Sequence, residues 1–419
     1  MDQTSKAAAY GCFLLVPLKF DPESLNLERL ERAGSCISMT TMDLNENVKA
    51  MLDPSSSEAA GRGYAIPLPA LTAPLGPQAG GAFQVSDGTG TFPFALDDSW
   101  IYLFRTRVAF LCLNLSFPRV EALKAICNPG WAHNAARFSW LDPAGEPHPF
   151  SMEEWLSGLL EPLGLRKFFD GGSSYLLDAY AYIFAVVPQW FDRLEQMRSI
   201  VFNLHKMMPL ETPMEDGAEE DIRYVYAAKN QDQNAYRWGC CITSQTISYV
   251  VADGQMDFAA QRDAQAADGL PVVLLSLYEK YTCLRFTQLI TQMKKEQVRE
   301  LKELMLNFQA FGTVAPANLS RWHNVKQIYA NLLEVNDIPA AVQDVSAKLN
   351  ILTARQEAIE HARSETVINL ITLFGIVSIL ASVLSIVQIL ADGDLLIWVS
   401  TILTTVMLAL ATVLAILRR

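Results

Sequence analysis

No cluster of Lys and Arg occurs in this 419-residue sequence, where 33 basic residues stand against 45 acidic ones for a net charge of −12. A surface that grips nucleic-acid phosphates needs such a cluster, so a nucleic acid duplex is not an expected partner. Walker loop, Gly-rich dinucleotide fingerprint and Gly-x-Ser-x-Gly elbow are also missing. Their absence weighs against catalysis, and the chain is expected to be neither an enzyme nor the carrier of a covalently bound cofactor. The His residues at 133, 148, 205, 323 and 361 form no His-x-x-x-His pair, and no EF-hand spacing appears. No resident metal is therefore marked by spacing. Seven cysteines (12, 36, 112, 127, 240, 241 and 283) include no Cys-x-x-Cys pair, and their odd number suits free thiols in a reducing compartment. The vicinal Cys240 and Cys241 lie in a strand-like stretch, where neighbours point to opposite faces. The N-terminus lacks a basic leader and contains Pro17, so its short apolar stretch reads as a strand rather than a signal peptide.

Long uncharged apolar runs are rare too, and both lie at the end. Thr366 to Leu390 and Leu395 to Leu417 each exceed the roughly 20 apolar residues a helix needs to cross a bilayer core. Together they predict a membrane hairpin at 366–390 and 395–417, with the link 391–394 facing outward. Arg363 before the first run, and Arg418 with Arg419 after the second, place both termini in the cytoplasm by the positive-inside rule. The expected location is the cytoplasmic (inner) membrane, multi-pass, with the lipid bilayer as a partner. A plain tail anchor competes with this reading, but an anchor needs one span, whereas two tightly joined spans make a packed helical pair.

Ahead of the runs, residues 1–270 mix strand-like segments (10–18, 100–115, 176–187 and 242–251) with helical ones (25–33, 152–160 and 191–206), which predicts a mixed α/β cytoplasmic domain. Residues 53–92 are rich in Pro, Gly, Ala and Ser and read as a long surface excursion. The acidic run 211–221 reads as a solvated loop. Segment 234–251 combines Tyr236, Arg237 and Trp238 with several hydroxyls, which suits either a ligand-recognition surface or a hairpin edge. From about 271 to 338 the pattern becomes an antiparallel helical pair, broken near Phe311, Gly312 and Pro316. Residues 339–365 then form a stalk helix whose seam, Val342, Val345, Leu349, Leu352 and Ile359, recurs at coiled-coil spacing and runs into the first span. So narrow a seam calls for neighbouring helices or further copies of itself.

Within the first span Gly375, Ser378, Ser382 and Ser385 share one stripe, extended by Ile371 and Ile389, and Thr372 near the entrance is expected to line the same path. Such a stripe lines a narrow hydroxyl-walled pore or lets membrane helices pack closely. Asp392 and Asp394 sit in the outer link. In a symmetric assembly they form a ring that attracts cations; otherwise Asp-Gly-Asp is simply a polar turn.

This order of parts resembles the CorA family of divalent-cation channels. The resemblance rests on the mixed domain, the helical pair, the stalk that becomes the first span, the short link, and a second span ending in basic residues. Ile371-Thr372 stands where that family has a Leu-Thr pair, and Arg418-Arg419 where it has a terminal basic cluster. The family's Gly-Met-Asn is absent, with Ile389, Leu390 and Ala391 in its place. The resemblance implies a homopentamer passing Mg²⁺ or another divalent cation, transported or regulatory, without ATP. An alternative is a signal-responsive membrane effector on the same scaffold, of the kind associated with type III CRISPR defence, for which a small nucleotide ligand is the implied partner. A scaffold without a pore is the third reading.

Overall fold

The computed structural model describes residues 8–41, 43–56, 59–128, 136–171, 174–189, 191–212, 222–227, 235–292, 297–390, 398–399, 401–402 and 404–405. Two compact units divide the chain, Met1–Ala347 and Lys348–Arg419.

The first unit is built on a 13-stranded sheet. Its strands are β1 (Ala9–Lys19), β2 (Ser35–Ile37), β3 (Gly61–Ala65), β4 (Ala82–Ser86), β5 (Thr91–Phe104), β6 (Val108–Phe117) and β7 (Arg137–Leu141). They continue with β8 (Pro147–Phe150), β9 (Arg166–Lys167), β10 (Tyr180–Val187), β11 (Arg223–Tyr226), β12 (Trp238–Ile242) and β13 (Thr246–Ala252). The main order is β11-β12-β13-β10-β1-β6-β5-β4-β7-β8, with β3 on β5, β2 on β3, and β9 on the end of β1. All pairings are antiparallel except β10 with β13.

Helices cover both faces of the sheet centre, which is why β1 and β10 are nearly continuous apolar runs rather than alternating ones. Tyr10, Cys12, Leu14, Val16 and Leu18 of β1 join a core with helices Val120–Cys127, Met152–Leu160 and Leu194–His205. The other face is aromatic. Phe13 packs on Phe184, Phe104 stacks on Tyr278 at 4.3 Å, and Phe110 meets Tyr281 edge-on. Gly11 permits this packing, since a Cβ there would fall 2.2 Å from the Phe184 ring. Tyr278 and Tyr281 belong to helix Leu270–Gln292, which is buried almost all round in its first turns, as its all-round apolar sequence requires.

Several expectations need correction. Residues 100–115 are not one strand but the hairpin β5–β6, because Arg107 adopts a left-handed φ of 67° and reverses the chain. Residues 242–251 likewise divide, with a turn at 243–245 between β12 and β13, and the strand expected from 176 begins at Tyr180. The supposed excursion 53–92 is part of the body. It supplies β3, helix Leu68–Thr72, β4 and the start of β5, and buries Tyr64, Leu71, Phe83 and Val85. Its Pro and Gly residues punctuate short elements instead of dissolving them. Of the segment 234–251, residues 238–251 lie in the β12–β13 hairpin, with Trp238 stacked on Tyr249 across it. Cys240 and Cys241 are both fully buried there.

The helical segments from 270 to 347 lie in the same compact unit as the sheet. Helices Leu270–Gln292, Val298–Asn307 and His323–Val335 precede Asp337, whose φ of 50° turns the chain into one helix of 53 residues, Ile338–Leu390. At 1.5 Å per residue that helix is about 80 Å long.

Candidate functional site

The long helix contains a stretch apolar enough to cross a membrane, and none of the residues there is buried. Among the described residues it is the one helix that meets this criterion. The second run, 395–417, lies mostly outside the described residues, as do Asp392, Asp394, Arg418 and Arg419 and the acidic positions 213–221.

Within the span two faces differ. Leu373, Val377 and Leu380 are half-buried, whereas Gly375, Ser378, Ser382 and Ser385 are exposed. At ~100° per residue the two stripes lie about 150° apart around the helix. Thr372 is exposed as well but falls about 100° from the centre of the small-residue stripe, so it is displaced from the face expected to include it. Ile371 is exposed on the stripe, and Ile389 lies in the helix with its side chain outside the described residues. Among the described residues a Cβ at Gly375 would meet nothing within 4 Å.

The hydroxyls bond to their own helix. Thr372 Oγ1 donates to the Ile368 carbonyl at 2.8 Å, Ser382 Oγ to Ser378 at 2.9 Å, and Ser385 Oγ to Ala381 at 2.9 Å. Each of these three hydroxyl hydrogens is thus satisfied while the oxygen lone pairs remain available. Chemically, the hydroxyls of Ser382 and Ser385 offer weak oxygen acceptors to a cation.

Along the stalk, Val345 and Leu349 are buried, Val342 and Leu352 half-buried, and Ile359 exposed. The seam is therefore covered in its first turns within the chain itself and bare further on.

Compared with family models, curated proteins and solved structures, the chain matches none.

The globular unit holds two polar clusters that sequence reasoning missed. In the first, Glu279 is almost fully buried in helix Leu270–Gln292, where its Oε1 accepts from Tyr329 Oη at 2.5 Å and from the Val314 N–H at 3.1 Å. Burial pushes its carboxyl up to about 7, and the two hydrogen bonds offset only part of that. In the second, Arg285 Nη2 donates to Asp21 Oδ1 at 3.0 Å, Arg166 pairs with the other oxygen of Asp21, and Arg107 binds Glu300 at 2.5 Å. Arg285 is buried and its Nε has no hydrogen-bond partner among the described residues. Burial lowers the affinity of Arg285 for its proton, Asp21 raises it, and Arg107 and Arg166 lower it further, a sign that three guanidiniums crowd together. No local motif signals this cluster, because Asp21 and Arg285 are 264 residues apart. Among the described residues no group of His, Cys, Asp and Glu is arranged to hold a metal.

Proposed function

We propose that the chain is a subunit of a homo-oligomeric membrane channel that passes cations passively, laid out like the CorA family and assembled as a pentamer. The supporting observation is the single helix Ile338–Leu390, which ends in an apolar span without a buried residue. An apolar helix left uncovered in this way has water as an unfavourable neighbour and lipid as a favourable one. On the same helix the Gly375, Ser378, Ser382 and Ser385 face is exposed, set apart from the half-buried face, and bears the oxygen acceptors of Ser382 and Ser385. Brought around a symmetry axis, copies of that face wall a narrow path whose hydroxyl oxygens stand in for part of a cation's hydration shell. The second span, 395–417, returns the chain to the cytoplasmic side, and Asp392 and Asp394 ring the outer mouth, raising the local cation concentration without binding tightly. Divalent ions gain most from such a ring; in the absence of Gly-Met-Asn the proposal extends to divalent cations as a class.

The test is flux through the full chain in liposomes with Mg²⁺, Co²⁺, Ni²⁺ and K⁺. Asp392→Asn with Asp394→Asn is expected to reduce divalent flux several-fold at low ionic strength and less as salt screens the ring. Wild-type liposomes that leak no ion would sink the channel and leave a scaffold without a pore.

A further inference from the structure

Three elements of the globular unit line a cavity of about 400 Å³, a volume within the roughly 300–1,000 Å³ of small-molecule sites. Trp100 and Tyr102, two apart and so on one face of β5, form the first side. Ile37 and Met39, at the end of β2 and just beyond it, form the second, and Ala266 and Ala267 of a π-helical turn, Gln265–Gly269, form the third. Thr41 Oγ1 donates to Asp268 Oδ1 at 3.0 Å, which ties the second side to the third with the cavity empty.

Tyr102 is 5% exposed, yet its hydroxyl makes no hydrogen bond among the described residues; burial holds its pKa well above the ordinary tyrosine value, with no hydrogen bond to offset the shift. Tyr182 and Tyr329 are buried at least as deeply, and each gives its hydroxyl to a side-chain oxygen, of Gln265 and Glu279. A buried hydroxyl without a partner is unfavourable unless something else supplies one. The unspent donor of Tyr102 belongs to a side chain that lines the cavity, so an occupant is well placed to accept it.

Charge, by contrast, is already matched. Asp263 lines the cavity with Arg262 Nε 3.3 Å from it, and the same guanidinium reaches Asp97 at 3.2 Å. No Lys, Arg or His is among the described residues of the lining. An anion would meet no cation here, and a cation would have to take Asp263 from Arg262, so the lining suits an uncharged molecule. Two aromatic side chains and several aliphatic ones favour a flat ring system over a sugar or a polyol.

We propose that this cavity binds an uncharged heteroaromatic molecule of one or two fused rings, whose ring carbonyl or ring nitrogen accepts the Tyr102 O–H. Its faces pack on Trp100 and on the apolar side chains of the other two sides. The site does not depend on conduction, so flux without ligand binding removes only this proposal, and ligand binding without flux removes only the channel.

The experiment uses the full chain in phosphatidylcholine nanodiscs, with empty discs as the blank, and measures equilibrium dialysis and thermal unfolding. Caffeine and quinazolin-4-one are the acceptor probes, and indole is the fused ring that can donate but has no acceptor atom. Saturable binding of an acceptor probe near one per chain is expected, with indole at least several-fold weaker. Tyr102→Phe should weaken the acceptor probe several-fold, about the worth of one hydrogen bond, and without probe should melt no lower than wild type because it removes an unpaired hydroxyl. Ala267→Trp, at an exposed position, should fill the cavity and abolish binding while leaving melting unchanged. Failure of both acceptor probes to saturate wild type overturns the proposal. So does a Tyr102→Phe variant that binds as tightly as wild type or melts well below it, indole that binds as well as the acceptor probes, or an Ala267→Trp variant that still binds.

Discussion

Phe184 and Phe374 are the same side chain in opposite circumstances. Phe184 is fully buried between Phe13 and Phe258, while Phe374 is 70% exposed on the long helix. Across the unit Met1–Ala347, apolar residues turn inward to a sheet covered on both faces; along 367–386 of the long helix most of the described apolar side chains face outward. The first unit obeys the hydrophobic effect in water, whereas the exposed apolar stretch of the long helix is long enough and apolar enough to cross a membrane.

The sharpest break of that contrast is to treat both phenylalanines alike. Phe184→Ala is expected to destabilise the globular unit by about 3–5 kcal/mol, through lost burial and the cavity left behind. Phe374→Ala should leave thermal unfolding in detergent unchanged. Phe374→Asp, by contrast, should cost about 2.5–3.5 kcal/mol of membrane insertion and move the protein out of the carbonate-resistant membrane fraction. Unchanged membrane retention would mean that this helix does not lie in lipid.

Next in size is the pH response of the buried unit. Glu279, raised to about 7, stabilises the fold fully below its ordinary value near 4.5, and that stability is lost as pH rises to 7. His205 works the other way. Burial, with Lys206 nearby, pulls it down to about 4, so its stability is present above 6.5 and lost as pH falls toward 4. The two slopes oppose one another between 4.5 and 6.5. Glu279→Gln should therefore unmask stability that climbs with pH, and His205→Gln stability that declines. Each change amounts to about 2–3 kcal/mol, since a tenfold change in proton affinity corresponds to ~1.4 kcal/mol. Denaturant unfolding at pH 4.5, 5.5 and 7 would show it; a Glu279→Gln profile identical to wild type would mean that this carboxyl is not held protonated.

The smallest effect on stability, yet the most telling for assembly, concerns the outer end of the stalk seam, at Ile359. Leu349 is 2% exposed and Ile359 47% exposed on the same seam. Leu349→Asp should lower the melting temperature of the chain itself, because it buries an unpaired charge. Ile359→Asp should leave melting within about 0.5 kcal/mol of wild type and still weaken the oligomer in light scattering. If Ile359→Asp changes nothing, copies of the helix do not meet there.

Much of the architecture was readable where the physics is local. The run 10–18 announced β1, and 152–160 announced a helix whose Ser151 side chain accepts from the Glu154 N–H. The turn at Arg105–Arg107 was not readable, since no Gly or Asn marks its left-handed residue. Nor was the body role of 53–92, because Pro and Gly between short elements look like a loop until neighbouring strands pair with them. Of the candidate site, the Gly375–Ser385 stripe followed from helical spacing alone. Thr372 shows the limit, being near in sequence but rotated from the face.

What the sequence by itself determined is the long helix and its apolar character, because run length and a 3.6-residue period act within one element and need no partner. Only the tertiary structure decided which side of that helix stays exposed, that the seam is covered as far as Leu349, and that Asp21, Arg107, Arg166, Arg285 and Glu300 meet. Those outcomes depend on contacts between residues separated by scores to hundreds of positions, as in Arg107 with Glu300 and Asp21 with Arg285, and no local pattern encodes which distant strand end or helix face will close on another.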